Sequence, residues 1–108
     1  MYSRLGPGLP ERVYKTCVGY ELTRRGIPHH TEKVLPVEYD GLKFEFGYRV
    51  DLLVDDAVVV EIKSVQAILP LHEAQLMAYL RLCRKRVGLL INFNVADLKE
   101  GIRRKVWG

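Results

Sequence analysis

Four kinds of feature are scarce or missing in this chain, and each scarcity excludes something. It has two cysteines in 108 residues, Cys17 and Cys83, and neither has metal-ligand partners at useful spacing. A disulfide scaffold and a cysteine-based zinc site are therefore excluded, and two buried thiols in a reducing compartment are expected. The longest uncharged apolar run, residues 87–92, falls far short of the roughly 20 residues that a membrane helix needs. No basic-then-apolar segment precedes Leu5, so the expectation is a cytoplasmic protein with no membrane partner. No internal repeat or low-complexity stretch appears, which removes solenoids and disordered tails.

What remains is ordinary for a globular domain: 48% of residues are hydrophobic and 28% charged, so one domain over 1–108 is expected. Seventeen Lys and Arg against thirteen Asp and Glu leave a net charge of +4. An excess that small names no partner, but its distribution is uneven. Positive charge concentrates at Arg24-Arg25, at Arg81 with Arg84-Lys85-Arg86, and at Arg103-Arg104-Lys105. Such clusters suit either a groove for a polyanion or helix C-termini that complement the dipole, and both readings stand.

Periodicity assigns the elements. Gly6-Pro7-Gly8 is a breaker cluster, Pro10 suits a first helical turn, and Val13, Tyr14, Cys17, Val18 and Leu22 recur at helical spacing until Gly26. After Pro28 the period changes, with His29-His30 in a loop. Val34, Leu35, Val37 and Tyr39 lead into the turn dipeptide Asp40-Gly41. Leu42, Phe44 and Phe46 then alternate with Lys43 and Glu45 until Gly47 breaks or bulges the strand. Residues 48–54 and 58–64 form two further strands. Pro70 opens a helix through Cys83 with Leu71, Leu76 and Leu80 as apolar positions, and 87–93 is a buried strand. The tail from Leu98 to Trp107 is basic and ambiguous. The order is helix, three-stranded meander, helix, strand, which predicts an α+β (mixed α/β) fold with one sheet flanked by helices.

The strand around Val58-Val59-Val60-Glu61-Ile62-Lys63 carries the chemistry. Period two puts Glu61 and Lys63 on one face and Val58, Val60 and Ile62 on the other. The preceding strand splits into Val50, Leu52 and Val54 against Arg49, Asp51 and Leu53. Matching the apolar sets across a hairpin pairs Leu52 with Val60, Val54 with Val58 and Val50 with Ile62. That register requires a three-residue loop, Asp55 to Ala57, because a two-residue loop would flip Glu61 to the wrong face. It also sets Asp51 opposite Glu61 and Arg49 opposite Lys63. Two carboxylates that close raise each other's pKa unless a cation intervenes. A divalent cation answers this, and so does a cross-strand salt-bridge ladder on a solvated face.

At these positions the chain resembles a known group. Asp51, ten residues on, then Glu61-Ile62-Lys63 is similar to the PD-(D/E)XK nuclease motif, with Val50 where that motif often has proline. Gln75-Leu76-Met77-Ala78-Tyr79 resembles the Q-x-x-x-Y helix of exonuclease-like branches. Gly8-Leu9-Pro10-Glu11-Arg12-Val13-Tyr14 reads as G-x-x-E-x-x-Y, so the whole chain resembles the small prokaryotic GxxExxY proteins over roughly residues 4–107. Those proteins usually carry a helical stretch before the Leu5-Gly6-Pro7-Gly8 segment, where only Met1 to Arg4 stands here.

The resemblance implies a restriction-endonuclease-like core and a metal-dependent nuclease that hydrolyses phosphodiester bonds in DNA with a metal-activated water. It implies Asp51, Glu61 and the carbonyl of Ile62 as ligands of Mg²⁺, or Mn²⁺ as its substitute, with Glu11 as the upstream acid. Lys63 would orient the water and stabilise developing charge. Gln75 and Tyr79 would face the site and touch phosphate or base, and Arg81, Arg84 and Arg86 would contact phosphates. The alternative is a catalytically silent nucleic-acid or nucleotide-binding module, or a subunit of a defence or repair assembly. A core this small also suggests a homodimer. His72 shares the face of Gln75 and reads as exposed or supporting. Tyr14 and Tyr20 read as packing residues, and Trp107 as a terminal packing anchor.

Overall fold

Alternating apolar residues build one sheet whose two faces are covered by different helices. The computed structural model describes residues 1–108, with side chains at every position but Glu45 and Phe46. A single turn α1 (Tyr2–Leu5) precedes α2 (Glu11–Arg24), then β1 (His29–Tyr39), β2 (Leu42–Val54), β3 (Val58–Lys63), α3 (Pro70–Cys83) and β4 (Val87–Asn92). A 3₁₀ turn (Leu98–Gly101) leads into β5 (Ile102–Val106). The five strands lie in sequence order. Neighbours are antiparallel except β3 and β4, which run parallel from Val58↔Val87 to Lys63↔Asn92. A parallel pair needs a crossover, and α3 supplies it. The α+β expectation of one sheet flanked by helices is met.

Both faces are filled. Leu35, Val50, Leu53, Val59 and Leu90 pack against Leu76 and Leu80 of α3. On the other face, Leu52, Val60, Ile62 and Phe93 pack against Tyr14 of α2. Tyr14 is fully buried and stacks on Phe93 at 4.6 Å between ring centroids. Its hydroxyl donates to the Gly6 carbonyl (2.5 Å) and accepts from the Leu9 N–H (3.1 Å), which pins the breaker segment before α2.

The turns follow the expected chemistry. Asp40 and Gly41 both take positive φ in a two-residue hairpin closed by Tyr39↔Leu42. Asp55 to Ala57 form the three-residue loop, with Asp55 and Asp56 in the left-handed region. The β1 register shifts between Leu35 and Val37 opposite residues 45–47, so Gly47 sits in a bulge. The alternation through Glu45 and Phe46 falls on side chains outside the described ones.

Several expectations need correction. The ambiguous tail forms the edge strand β5, paired to β4 from Val87↔Val106 to Ile91↔Ile102. His29 and His30 open β1 rather than a loop, because the Asp55 N–H reaches the Pro28 carbonyl (2.8 Å) and carries the pairing to that point. Leu71 is exposed, since it lies about 140° round α3 from Leu76. Tyr20 is exposed too, about 120° round α2 from the buried Tyr14. Cys17 and Cys83 are free and only half-buried. Trp107 does pack against the α3-side core.

A Cβ on Gly47 would overlap the Leu35 carbonyl oxygen. Because that neighbour is backbone, Gly47→Ala is expected to cost about 1–3 kcal/mol in urea unfolding. A neutral result would mean that the bulge does not hold the two strands this closely.

Candidate active site

The pairing of β2 with β3 runs through Val54↔Val58, Leu53↔Val59 and Leu52↔Val60, as the loop length requires, and stops there. The next rung would match Asp51 with Glu61. Instead, the Ile62 N–H donates to Asp51 Oδ2 at 2.7 Å, so a side chain replaces the backbone acceptor and the strands part. On the far side of β2, Glu32 of β1 takes a φ of 52° between the pairs Thr31↔Leu52 and Lys33↔Val50.

This interruption shifts the pleat. Leu52 belongs to the α2-side core, whereas Val50 and Leu53 both belong to the α3-side core. Strict alternation would keep Val50 with Leu52. The expected pairs Val50–Ile62 and Arg49–Lys63 therefore do not form, because Val50 and Ile62 face opposite cores. The shift carries Tyr48 onto the α3 side, where its ring stacks on Tyr79 (3.5 Å between centroids, 14° between planes).

Strand β3 keeps its period. Val58, Val60 and Ile62 face α2, and Val59 faces α3, which places Glu61 and Lys63 on the α3 side. Glu61 is only 8% exposed, and among the described residues its Oε1 has no hydrogen-bond partner. Burial first, and the Asp51 charge second, push its pKa from 4.5 up to about 7. The Tyr48 hydroxyl, the backbone at Asp51 and the Lys63 charge offset part of that rise. Asp51 and Lys63 thus both lie within electrostatic reach of Glu61. Burial and the neighbouring Glu61 charge likewise drive the Tyr48 phenol far above its ordinary range. In a strand the N–H and C=O of one residue point to the same edge, so the Ile62 carbonyl also faces the gap beside Asp51.

A second cation stands on the other flank. Lys15 of α2 lies 3.6 Å from Asp51 Oδ1 and 2.6 Å from Glu32 Oε1. Its hydrogen bond to Glu32 raises the Lys15 pKa despite partial burial and holds the Glu32 carboxyl below its ordinary value.

The remaining candidates are spread out. Glu11 stays exposed in the first turn of α2, although the Ser64 hydroxyl donates to the Leu9 carbonyl (2.6 Å) and ties that end of α2 to the end of β3. Among the described residues, no three His, Cys, Asp or Glu side chains gather at metal-holding spacing. Gln75 is exposed one turn before Tyr79 on α3. His72 Nδ1 accepts the Leu69 N–H (3.0 Å), a capping role. Arg84 and Arg86 lie at the opposite end of β3 from Lys63. Val87, next to Arg86, pairs with Val58, while Lys85 reaches Asp56 in the β2–β3 loop (3.0 Å to its carbonyl) and Arg84 pairs with Glu38 (3.6 Å). Arg81, exposed near the end of α3, belongs to that same end.

Three residues of the site were not singled out from the sequence. Lys15 and Tyr48 are named only once the pleat shift is seen. Buried Asn92 accepts the N–H groups of Val65 and Asn94 (both 3.1 Å) and donates to the Val65 carbonyl (2.9 Å), which fastens the segment just after Lys63. A polar residue inside the apolar run 87–93 was the available signal for Asn92.

A family model described as the PD-(D/E)XK nuclease superfamily matches residues 1–105, nearly the whole chain. No curated protein and no solved structure matches. Among the described residues no helix is long and apolar enough to cross a membrane.

The raised Glu61 pKa has a measurable consequence. An acid whose folded pKa exceeds its unfolded value binds its proton more tightly when folded, so stability falls as pH rises from 4.5 to about 7 and stays low above that. In EDTA, Glu61→Gln should raise stability at pH 8 by up to about 3 kcal/mol and change it little at pH 4, as read by urea unfolding. Lower stability of the variant at pH 8 would contradict a buried, uncompensated carboxylate.

Proposed function

We propose that this chain, which belongs to the PD-(D/E)XK nuclease superfamily, is a divalent-cation-dependent phosphodiesterase that hydrolyses DNA. The observation that carries the reading is the buried, unpartnered Glu61 Oε1 beside the Asp51 carboxylate in the gap between β2 and β3. A carboxylate oxygen withdrawn from water and given no donor is suited to a hard cation, and the second acid beside it adds to that preference. Asp51 retains free lone pairs after accepting the Ile62 N–H, so it can serve as a ligand as well. In this reading Asp51, Glu61 and the Ile62 carbonyl hold Mg²⁺ or Mn²⁺, and Glu11, exposed in the first turn of α2, is left out of the ligand set. The bound ion would supply Lewis-acid polarisation of a phosphoryl oxygen and a water of lowered pKa.

The chain's own residues supply the rest. The Lys63 ammonium, on the same face as Glu61, orients the attacking water and stabilises charge that grows on the phosphoryl oxygens. Asn92 holds the segment that follows Lys63 and so limits how far the lysine can wander. Tyr48 covers Glu61 on the α3 side and excludes water there. Tyr79, stacked on Tyr48, and Gln75 one turn earlier line the approach and contact phosphate or base. Arg81, Arg84 and Arg86 drop out of the site because they lie at the far end of β3. Within the superfamily, Gly8, Glu11 and Tyr14 at their spacing support a proposed place in the GxxExxY group.

The test is cleavage of single- and double-stranded DNA and RNA with Mg²⁺ or Mn²⁺, with Lys63→Ala alongside. Cleavage by the wild type should depend on the cation. Lys63→Ala should lose on the order of a hundredfold or more in single-turnover rate while keeping its affinity. Binding without turnover by the wild type would favour the silent binding module instead, and full activity in Lys63→Ala would remove the lysine from the reaction.

A further inference from the structure

A groove of about 480 Å³ runs between α2 and β1 on the flank of Asp51 away from α3, lined by Arg12, Lys15, Gly19, His29, Thr31 and Glu32, with two α2 threonines at its rim. It joins the gap between β2 and β3 through Lys15, whose amine touches both Glu32 in the groove and Asp51 at its inner end. We infer that this groove holds the nucleotide next to the scissile phosphate of a single-stranded nucleic acid. The inference rests on the phosphodiesterase reading and deepens it by naming the form of the substrate and where its strand runs.

The groove's unspent hydrogen-bonding groups argue for this ligand. The Arg12 guanidinium is exposed and has no acidic partner among the described residues, so it is a free donor at the mouth. The Thr31 hydroxyl is likewise uncommitted. By contrast, Thr16 and Thr23 donate to the carbonyls of Arg12 and Gly19 within α2, so their protons are taken. His29 Nδ1 lies 2.9 Å from the Ile27 carbonyl and so donates to it, which in the neutral imidazole leaves Nε2 as an acceptor. That Nε2 lies 3.9 Å from where a Cβ on Gly19 would stand, on the groove wall. Free donors at Arg12 and Thr31 suit phosphate oxygens. An acceptor at His29, with the carboxylate of Glu32 beside it, suits the N–H groups of a base. A bare anion would use only the first set, whereas a nucleotide uses both.

Size selects the single strand. Sites that enclose small ligands span roughly 300–1,000 Å³, so this groove accepts a nucleotide and not a duplex. Glycine at position 19 is what leaves it open. A Cβ there would meet Thr31 Cγ2 at 3.3 Å and take up space at the groove floor. Glycine inside a helix costs about 1 kcal/mol against alanine, so the gap is held at an energetic cost.

The test uses the intact chain and fluorescence anisotropy with a labelled oligothymidylate and a blunt DNA duplex, in EDTA to prevent cleavage, over a range of salt. Arg12→Ala removes an exposed side chain without an ion-pair partner among the described residues, and Arg84→Ala at the far end of β3 is the control. Arg12→Ala should weaken binding of the single strand about fivefold or more at low salt and flatten the salt slope by about 0.7, the loss of one single-strand phosphate contact. Arg84→Ala should leave both unchanged, and the blunt duplex should compete poorly. If the wild type cleaves nucleic acid but Arg12→Ala binds the oligothymidylate with unchanged affinity and slope, the groove inference falls while the phosphodiesterase reading stands. Equal competition by the blunt duplex also overturns it. If the wild type neither binds nor cleaves any nucleic acid, both readings fail together.

Discussion

A single hydrogen bond, from the Ile62 N–H to the Asp51 carboxylate, organises the site. In a regular antiparallel pair that N–H would go to a backbone carbonyl of β2, and the two strands would continue as a closed ladder. With the side chain as acceptor, the ladder ends at Leu52↔Val60 and a gap opens at the level of Glu61. Pairing with β4 through Lys63↔Asn92 keeps β3 straight while β2 diverges, so the opening has one fixed wall. The same interruption brings Tyr48 round to cover Glu61.

Opening a sheet in its interior leaves charge where water is scarce, and the surrounding residues divide that burden. Asp51 is compensated from the α2 flank by Lys15, which Glu32 in turn holds in place. Glu61 has no equivalent: Lys63 and Tyr48 lower its pKa only in part, and burial wins. The result is one acid whose ordinary compensation is present and one whose compensation is not, side by side. Such an imbalance destabilises the fold taken alone, and it is the kind of local conflict that accompanies a binding function.

Much of this was legible in the sequence, for definite reasons. The hairpin register followed from matching Leu52 and Val54 to Val60 and Val58 and from the three residues needed between them. The placement of Glu61 and Lys63 on one face followed from the period of β3, which is regular because β4 pairs with it along its whole length. Period two failed at Asp51, where it assigned Val50 to the wrong core. The cause is a side-chain hydrogen bond and a left-handed Glu32 on the adjacent strand, neither of which leaves a periodic trace. The basic clusters misled in another way. Arg84 and Arg86 are close to Gln75 and Tyr79 along the chain, but α3 carries them to the other end of the parallel pair. Lys15, which does reach the site, is a lone lysine in a helix and has no pattern to mark it.

The central claim is that the gap between Asp51 and Glu61 is a divalent-cation site. Calorimetric titration of Mn²⁺ into the wild type and into Asp51→Asn tests it most directly, because asparagine keeps an oxygen that can accept the Ile62 N–H while removing the charge. The account predicts a saturable heat in the wild type that is lost or strongly weakened in Asp51→Asn. Equal heats from the two proteins would contradict it.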